Sequence, residues 1–179
     1  MTKTLNNLLL VSGSGRNVGK TTFLTRLISV NAGKPIVAVK ITPHFHEPTD
    51  GLDLLQITPE FRIYEETTRT ATKDSSLFLQ AGASRVFYIQ ATDEFLLPAF
   101  EFVESYIAAD DAVVVESAAL RKWIVPGLYI FIRKKYEKVK PSARGMIRFA
   151  DRCVISDGEI FSLSPDHIRF EKNWQIVVL

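Results

Sequence analysis

Val11-Ser12-Gly13-Ser14-Gly15-Arg16-Asn17-Val18-Gly19-Lys20-Thr21-Thr22 is the stretch from which the rest of the chain can be read. An apolar run, Leu8-Leu9-Leu10-Val11, precedes it, and Phe23, Leu24, Leu27 and Ile28 follow at helical spacing. The pattern is strand, glycine-rich turn, helix. Its ending, Gly19-Lys20-Thr21, has what a phosphate-binding loop requires: backbone N–H groups and a helix N-terminus around the phosphates, a lysine for the β and γ positions, and a hydroxyl for Mg²⁺. The strict pattern places glycine where this chain has Ser14, and Gly13 and Gly15 flank that position. A small shift of the turn accommodates the serine, whose hydroxyl is expected to help hold the loop. Gly13, Ser14, Gly15, Asn17, Val18, Gly19, Lys20, Thr21 and Thr22 are therefore expected to bind a nucleoside triphosphate, GTP or ATP, with Mg²⁺.

The whole chain sets the bounds of this reading. Its 179 residues suit a single domain, 1–179, and its 46% apolar and 23% charged residues are ordinary for a globular protein. A net charge of +2 gives no electrostatic footprint for nucleic acid. The basic run from Arg133 to Lys140 is short and reads as a solvated loop. A single cysteine excludes an internal disulfide and a thiolate metal cluster; Cys153 lies in a strand-like run and is expected to be a buried, inert thiol. No apolar segment has the length of a signal peptide or a membrane span, so a cytoplasmic protein without membrane contact is expected.

Taken in order, Leu5 to Ser12 is the first strand, continuously apolar near the loop as a strand covered on both faces should be. A helix from Lys20 to about Asn31 ends at Ala32-Gly33, and Pro35 to Ile41 is a second buried strand. The βαβ unit implies a mostly parallel sheet flanked by helices, an α/β fold of the P-loop NTPase type. Residues 42–70 carry two prolines and two histidines early on and read as a mobile flap over the site. A short helix runs from Leu77 to Ala81, and strands are expected at Arg85–Gln90, Asp111–Ser117 and Gly127–Ile132. Asp93 is placed to cap the helix between the first two of these. Residues 150–179 form a β-rich tail of two expected hairpins, Cys153–Ser156 with Ile160–Leu163, and Ile168–Glu171 with Trp174–Val178.

Glu116 is the second anchor of the site. It ends a buried strand on the side where the loop opens, and a carboxylate there holds Mg²⁺ or positions water. Burial of that carboxylate calls for a metal or a basic neighbour. Asp50 is a further metal-ligand and catalytic candidate. Asp74, in Lys73-Asp74-Ser75, is either a site residue or a helix cap. His44 and His46 alternate, so their rings share one side of an extended chain; they suit substrate or phosphate contact better than a zinc site, which needs four ligands. Arg16 is a candidate cover for the γ-phosphate, and Arg121, just past Glu116, is placed to meet an anionic substrate.

With these residues in view, the chain resembles the MobB family, small P-loop proteins associated with the guanine dinucleotide form of the molybdenum cofactor. The resemblance rests on Gly19-Lys20-Thr21-Thr22, Val39-Lys40-Ile41-Thr42-Pro43-His44, Asp50, Lys73-Asp74-Ser75 with Gln80-Ala81-Gly82-Ala83, and the strand Val113-Val114-Val115-Glu116. It spans roughly residues 8 to 132, and the Lys-Asp-Ser to Ala-Gly-Ala segment is its most specific part. It implies GTP with Mg²⁺, a homodimer and a partner protein in cofactor assembly. Lys20 and Thr21 would meet phosphate and metal, with Glu116 and Asp50 near the metal. Two features depart from the family: Ser117 stands where glycine usually follows the glutamate, and the first glycine lies one place further from Lys20. The second is similar to dethiobiotin synthetase and its amide-ligase relatives, in which ATP activates a carboxylate. The chain also has no Asn-Lys-x-Asp motif of the kind that reads guanine in ordinary GTPases. Three functions remain open at this stage: a slow nucleotidase in cofactor assembly, an ATP-dependent kinase or carboxylate ligase, and a nucleotide-binding adaptor.

Overall fold

Leu8, Leu9, Leu10 and Val11 are all buried because the strand that carries them lies inside a sheet covered on both faces. The computed structural model describes residues 2–139 and 141–177. That strand is β1 (Lys3–Gly13), followed by α1 (Lys20–Val30) and β2 (Ile36–Thr42). Then come β3 (Leu52–Ile57), β4 (Phe61–Glu66), α2 (Asp74–Gln80), β5 (Arg85–Ala91), α3 (Leu96–Glu104) and β6 (Ala112–Glu116). The chain continues through β7 (Ile124–Lys134), α4 (Pro141–Ile147), β8 (Arg152–Ser156), β9 (Ile168–Phe170) and β10 (Trp174–Ile176).

The first eight strands form one sheet in the order β3-β4-β5-β2-β6-β1-β7-β8. From β5 to β8 every pairing is parallel; β4 and β3 are added antiparallel at the other edge. Alternation sorts the apolar side chains. Leu9 and Val11 pack with Phe23, Leu24 and Phe78 of α1 and α2, while Leu8 and Leu10 pack with Leu96, Phe100 and Val103 of α3. The expected α/β class, a mostly parallel sheet flanked by helices, is what the chain forms.

Several expectations are corrected. The segment 42–70 is not all loop: residues 52–66 make an antiparallel ribbon that widens the sheet. Its edge strand β3 leaves Leu54 and Ile57 exposed and carries a register shift between Leu54 and Gln56, which hid its period in the sequence. Asp93 does not cap α3; its carboxylate meets Lys122 at 2.5 Å and Phe95 takes the cap position. Cys153 is exposed, because β8 is the outer strand of the sheet. The first tail hairpin shrinks to one bridge, Ser156 to Phe161, since β8 pairs in parallel with β7 instead. The second hairpin forms as β9–β10, a separate two-stranded sheet; Val178 lies outside the described residues.

Asn31, not Gly33, is the C-cap of α1, and it ties the tail to the core. Its buried amide donates to the carbonyls of Leu27 and Ile168, and its Oδ1 accepts the N–H of Phe170 at 3.1 Å. These are buried backbone groups, and the Ile168 carbonyl also accepts from the Arg169 guanidinium at 3.0 Å. Asn31→Ala is expected to cost about 2–3 kcal/mol, read as a lower midpoint in urea unfolding with an unchanged slope; an unaltered midpoint would show that the hairpin is held by its apolar contacts alone.

Candidate functional site

The loop after β1 is shaped by backbone geometry. Gly19 has φ +91°, a conformation glycine adopts without strain, and a Cβ there would come within 2.7 Å of the Gly158 carbonyl. Asn17 also takes a positive φ, 55°. The helix that follows has no acidic side chain in its first turn, so its positive end faces the loop uncompensated. Ser14 donates its backbone N–H to Ile132 at 2.9 Å, but its hydroxyl is buried without a partner among the described residues. The serine side chain therefore does not hold the loop as expected; the backbone does.

Strand order brings the second anchor alongside. β1 and β6 are parallel neighbours with Val11 opposite Glu116, so the loop and the carboxylate emerge at the same edge of the sheet. Thr21 Oγ1 donates to Glu116 Oε2 at 3.0 Å. Lys20 Nζ turns back onto the Gly15 carbonyl at 2.9 Å, closing the loop around itself. An open cleft of about 890 Å³ is lined by Arg16, Asn17, Gly19, Lys20, Thr21 and Thr22, and across from them by Lys40, Asp74 and Glu116.

Lys40 is the residue that sequence reasoning did not place in the site. It pairs in register with Glu116 on the neighbouring strand, and its ammonium stands 2.5 Å from Glu116 Oε1 and 2.8 Å from Asp74 Oδ2. Burial opposes its charge, but the carboxylates of Glu116 and Asp74 outweigh that, and the ammonium is held above its ordinary range. The available signal was a lysine inside a buried apolar strand, a position that demands a partner. Asp74 is thus a cleft residue and not a cap; the α2 cap position is Lys73, without a side-chain bond.

Other candidates are placed elsewhere. Asp50 is exposed on the turn before β3, outside the cleft, where its carbonyl accepts from Lys73 at 2.7 Å. Lys73 also pairs with the buried Glu66 at 3.0 Å, which in turn accepts from Ser75 at 2.6 Å; the group anchors α2. His44 and His46 have ring centroids 6.2 Å apart, and the His46 backbone exchanges hydrogen bonds with the Gln90 side chain. Neither histidine lines the cleft, nor does Arg121, whose guanidinium lies over Phe149 at 4.7 Å. Among the described residues no cluster of three or more His, Cys, Asp or Glu is placed to hold a metal. The hydroxyl of Thr21 and the carboxylate of Glu116 are hard oxygen donors of the kind Mg²⁺ takes when substrate phosphates and water complete its shell. No helix of the described residues is long and apolar enough to cross a membrane.

No model of a known protein family matches the chain, and neither a curated protein nor a solved structure shows a significant similarity to it.

Glu116 has only 4% of its surface exposed, and the Lys40 ammonium lies against its carboxylate. Lys40→Met is expected to lower folding stability by about 3 kcal/mol, because it strands a buried carboxylate. Lys40→Met combined with Glu116→Gln should recover most of the loss. The raised lysine contributes stability that is full below its ordinary value of 10.5 and is lost as pH climbs through the raised value. The gap between wild type and Lys40→Met should therefore stay constant through neutral pH in chemical denaturation, and a gap that closes near neutrality would show that Lys40 is uncharged there.

Proposed function

We propose that the chain is a P-loop protein of the MobB type that binds a purine nucleoside triphosphate with Mg²⁺ and hydrolyses it slowly. GTP is the favoured nucleotide. In this reading it serves assembly of the guanine dinucleotide form of the molybdenum cofactor, or maturation of a related cofactor, as a homodimer with a partner protein. The observation that carries the nucleotide reading is the pairing of Thr21 with Glu116 at 3.0 Å beside Lys20, at one edge of the sheet and facing one cleft.

The residues divide the work. Backbone N–H groups around Gly19 to Thr22 and the positive end of α1 receive the phosphate oxygens. Lys20 leaves the Gly15 carbonyl for the β and γ oxygens and offsets charge on the transferred phosphoryl group. A bound Mg²⁺ would supply positive charge there to offset the charge that develops on the phosphate oxygens. Thr21 and Glu116 would hold that ion, while Lys40 holds Glu116 Oε1 and so orients the carboxylate. Arg16 is exposed at the cleft margin and covers the γ position.

One observation favours a second reading. Arg16 gives the cleft an exposed cation beyond Lys20, suited to an anionic acceptor as in an ATP-dependent kinase or carboxylate ligase. The acceptor would then meet Arg16, not His44, His46 and Arg121 as the sequence suggested. Hydrolysis accelerated by a small acid would favour that reading.

Calorimetric titration with GTP and with ATP, each with and without Mg²⁺, tests the function directly. Wild type should bind a triphosphate in a Mg²⁺-dependent manner. Lys20→Ala should lose at least about 100-fold in affinity, since charge-assisted phosphate contacts are strong, while its thermal unfolding stays close to wild type. Equal affinity in the two proteins would rule out the phosphate-loop assignment. Glu116→Gln should reduce the Mg²⁺ dependence more than metal-free binding.

A further inference from the structure

The turn after β8 leans on the phosphate loop. Gly158 lines the cleft, and its carbonyl occupies the space a side chain at Gly19 would need. Phe161 meets Phe23 of α1 edge-on, with centroids 5.1 Å apart and planes at 82°. Directly beyond Gly158, its neighbours line a second hollow of about 490 Å³, mainly apolar, that the phosphate reading leaves unused. Tyr136, Ile160 and Phe161 form its apolar walls, with Lys134, Ser156 and Asp157 beside them. Tyr136 and Ile160 are 88% and 74% exposed, and Lys135 Nζ lies over one face of the Tyr136 ring at 5.3 Å.

The polar edge of this hollow is built, not incidental. Ser156 Oγ accepts the Gly158 N–H at 2.8 Å, and Gly158 has φ +117°. Asp157 Oδ1 accepts the N–H groups of Glu159 and Ile160 at 3.0 and 2.8 Å, so the carboxylate is held by its own turn. Those backbone donors keep the carboxyl below its ordinary range, ionised and acceptor-only. A carboxylate offers about four lone-pair sites; Oδ1 uses two, and Oδ2 takes no hydrogen bond from another residue among the described ones. The other carboxylate of the hollow, Glu137, is already paired with Lys134 at 3.2 Å.

We propose that this hollow is the nucleobase subsite of the nucleotide held at the loop, with the base stacked on Tyr136 against Ile160 and Phe161 and with Asp157 selecting guanine. The inference rests on the phosphate-loop reading. Guanine presents N1–H and N2–H₂ side by side, and Oδ2, with its lone pairs open, accepts from these donors while Oδ1 stays with the turn. Adenine presents an N1 lone pair at that edge, which a carboxylate repels. The selection thus needs no Asn-Lys-x-Asp motif: the turn Asp157-Gly158-Glu159-Ile160 positions the one carboxylate that the chemistry requires.

The experiment compares GTP, ATP, xanthosine triphosphate and inorganic tripolyphosphate, all with Mg²⁺, by calorimetry on wild type, Asp157→Asn and Tyr136→Ala. Asparagine keeps the Oδ1 acceptor and so keeps the turn. Wild type should bind GTP at least about tenfold more tightly than ATP or tripolyphosphate, the worth of a charge-assisted side-chain–base contact plus stacking. Asp157→Asn should lose about 10- to 100-fold for GTP, gain affinity for xanthosine triphosphate, whose C2 carbonyl accepts from the new amide, and leave tripolyphosphate unchanged. Tyr136→Ala should weaken the purine nucleotides about tenfold and leave tripolyphosphate unchanged. If tripolyphosphate binds wild type as tightly as GTP, or if Asp157→Asn weakens GTP and ATP alike, the subsite is overturned while the phosphate loop stands. If tripolyphosphate itself does not bind, the phosphate-loop reading falls and the subsite with it.

Discussion

A carboxylate buried at the end of a central strand is tolerable only with a cation against it, and the register of two parallel strands provides one. Glu116 on β6 lies opposite Lys40 on β2, so the two side chains leave the sheet on the same face. That face carries α1 and α2, which makes Thr21 the neighbour of one carboxylate oxygen and Asp74 the neighbour of the lysine. The result is a continuous run of alternating charge and hydroxyl from the loop to α2. Removing Lys40 leaves the buried Glu116 carboxylate without its cation, whereas removing Glu116 leaves Lys40 its pair with Asp74.

Support for this run comes from further out. Glu66 on β4 has a fully buried side chain and accepts from Ser75, the Thr68 N–H and Lys73. It holds the first turn of α2 in place and so sets where Asp74 reaches. The antiparallel ribbon at the sheet edge thereby has a structural part in the cleft although none of its residues lines it. On the opposite flank the β8 turn presses against Gly19, so the loop is bounded from both sides by ordered backbone. A binding surface held in this way loses little conformational entropy when it meets a ligand.

The sequence showed the centre of the fold more clearly than its margins, for physical reasons. β1, β2 and β6 are buried on both faces and read as uninterrupted apolar runs, and the loop between β1 and α1 has its own residue chemistry. β3 is exposed on one side and interrupted by a bulge, so neither a helical nor a strand period survives in Leu52-Asp53-Leu54-Leu55-Gln56-Ile57. Cys153 looked interior because its neighbours are apolar, yet an outer strand has only one covered face. The role of Lys40 depends on which strand lies beside β2, information that spacing along the chain does not carry. Asp50, His44 and His46 were plausible from their place after a strand, but their segment leads into the ribbon and away from the cleft, and Arg121 lies over Phe149.

The tail hairpin also has a bearing on the order of events during synthesis. Trp174 Nε1 donates to the carbonyls of Asn7 and Val113 at 2.9 and 3.0 Å, and Asn31 links α1 to β9. Asn7 and Trp174 are 167 residues apart, among the longest closures the chain makes. Loop closure of that span adds little to the equilibrium cost but postpones the contact in time. The β1–α1–β2 unit therefore leaves the ribosome with the far side of α1 uncovered and waits for the last strands to arrive. A nascent chain stalled before β9 would expose Leu27 and Ile28 to water, and chaperone demand would peak there and fall sharply once β10 is made.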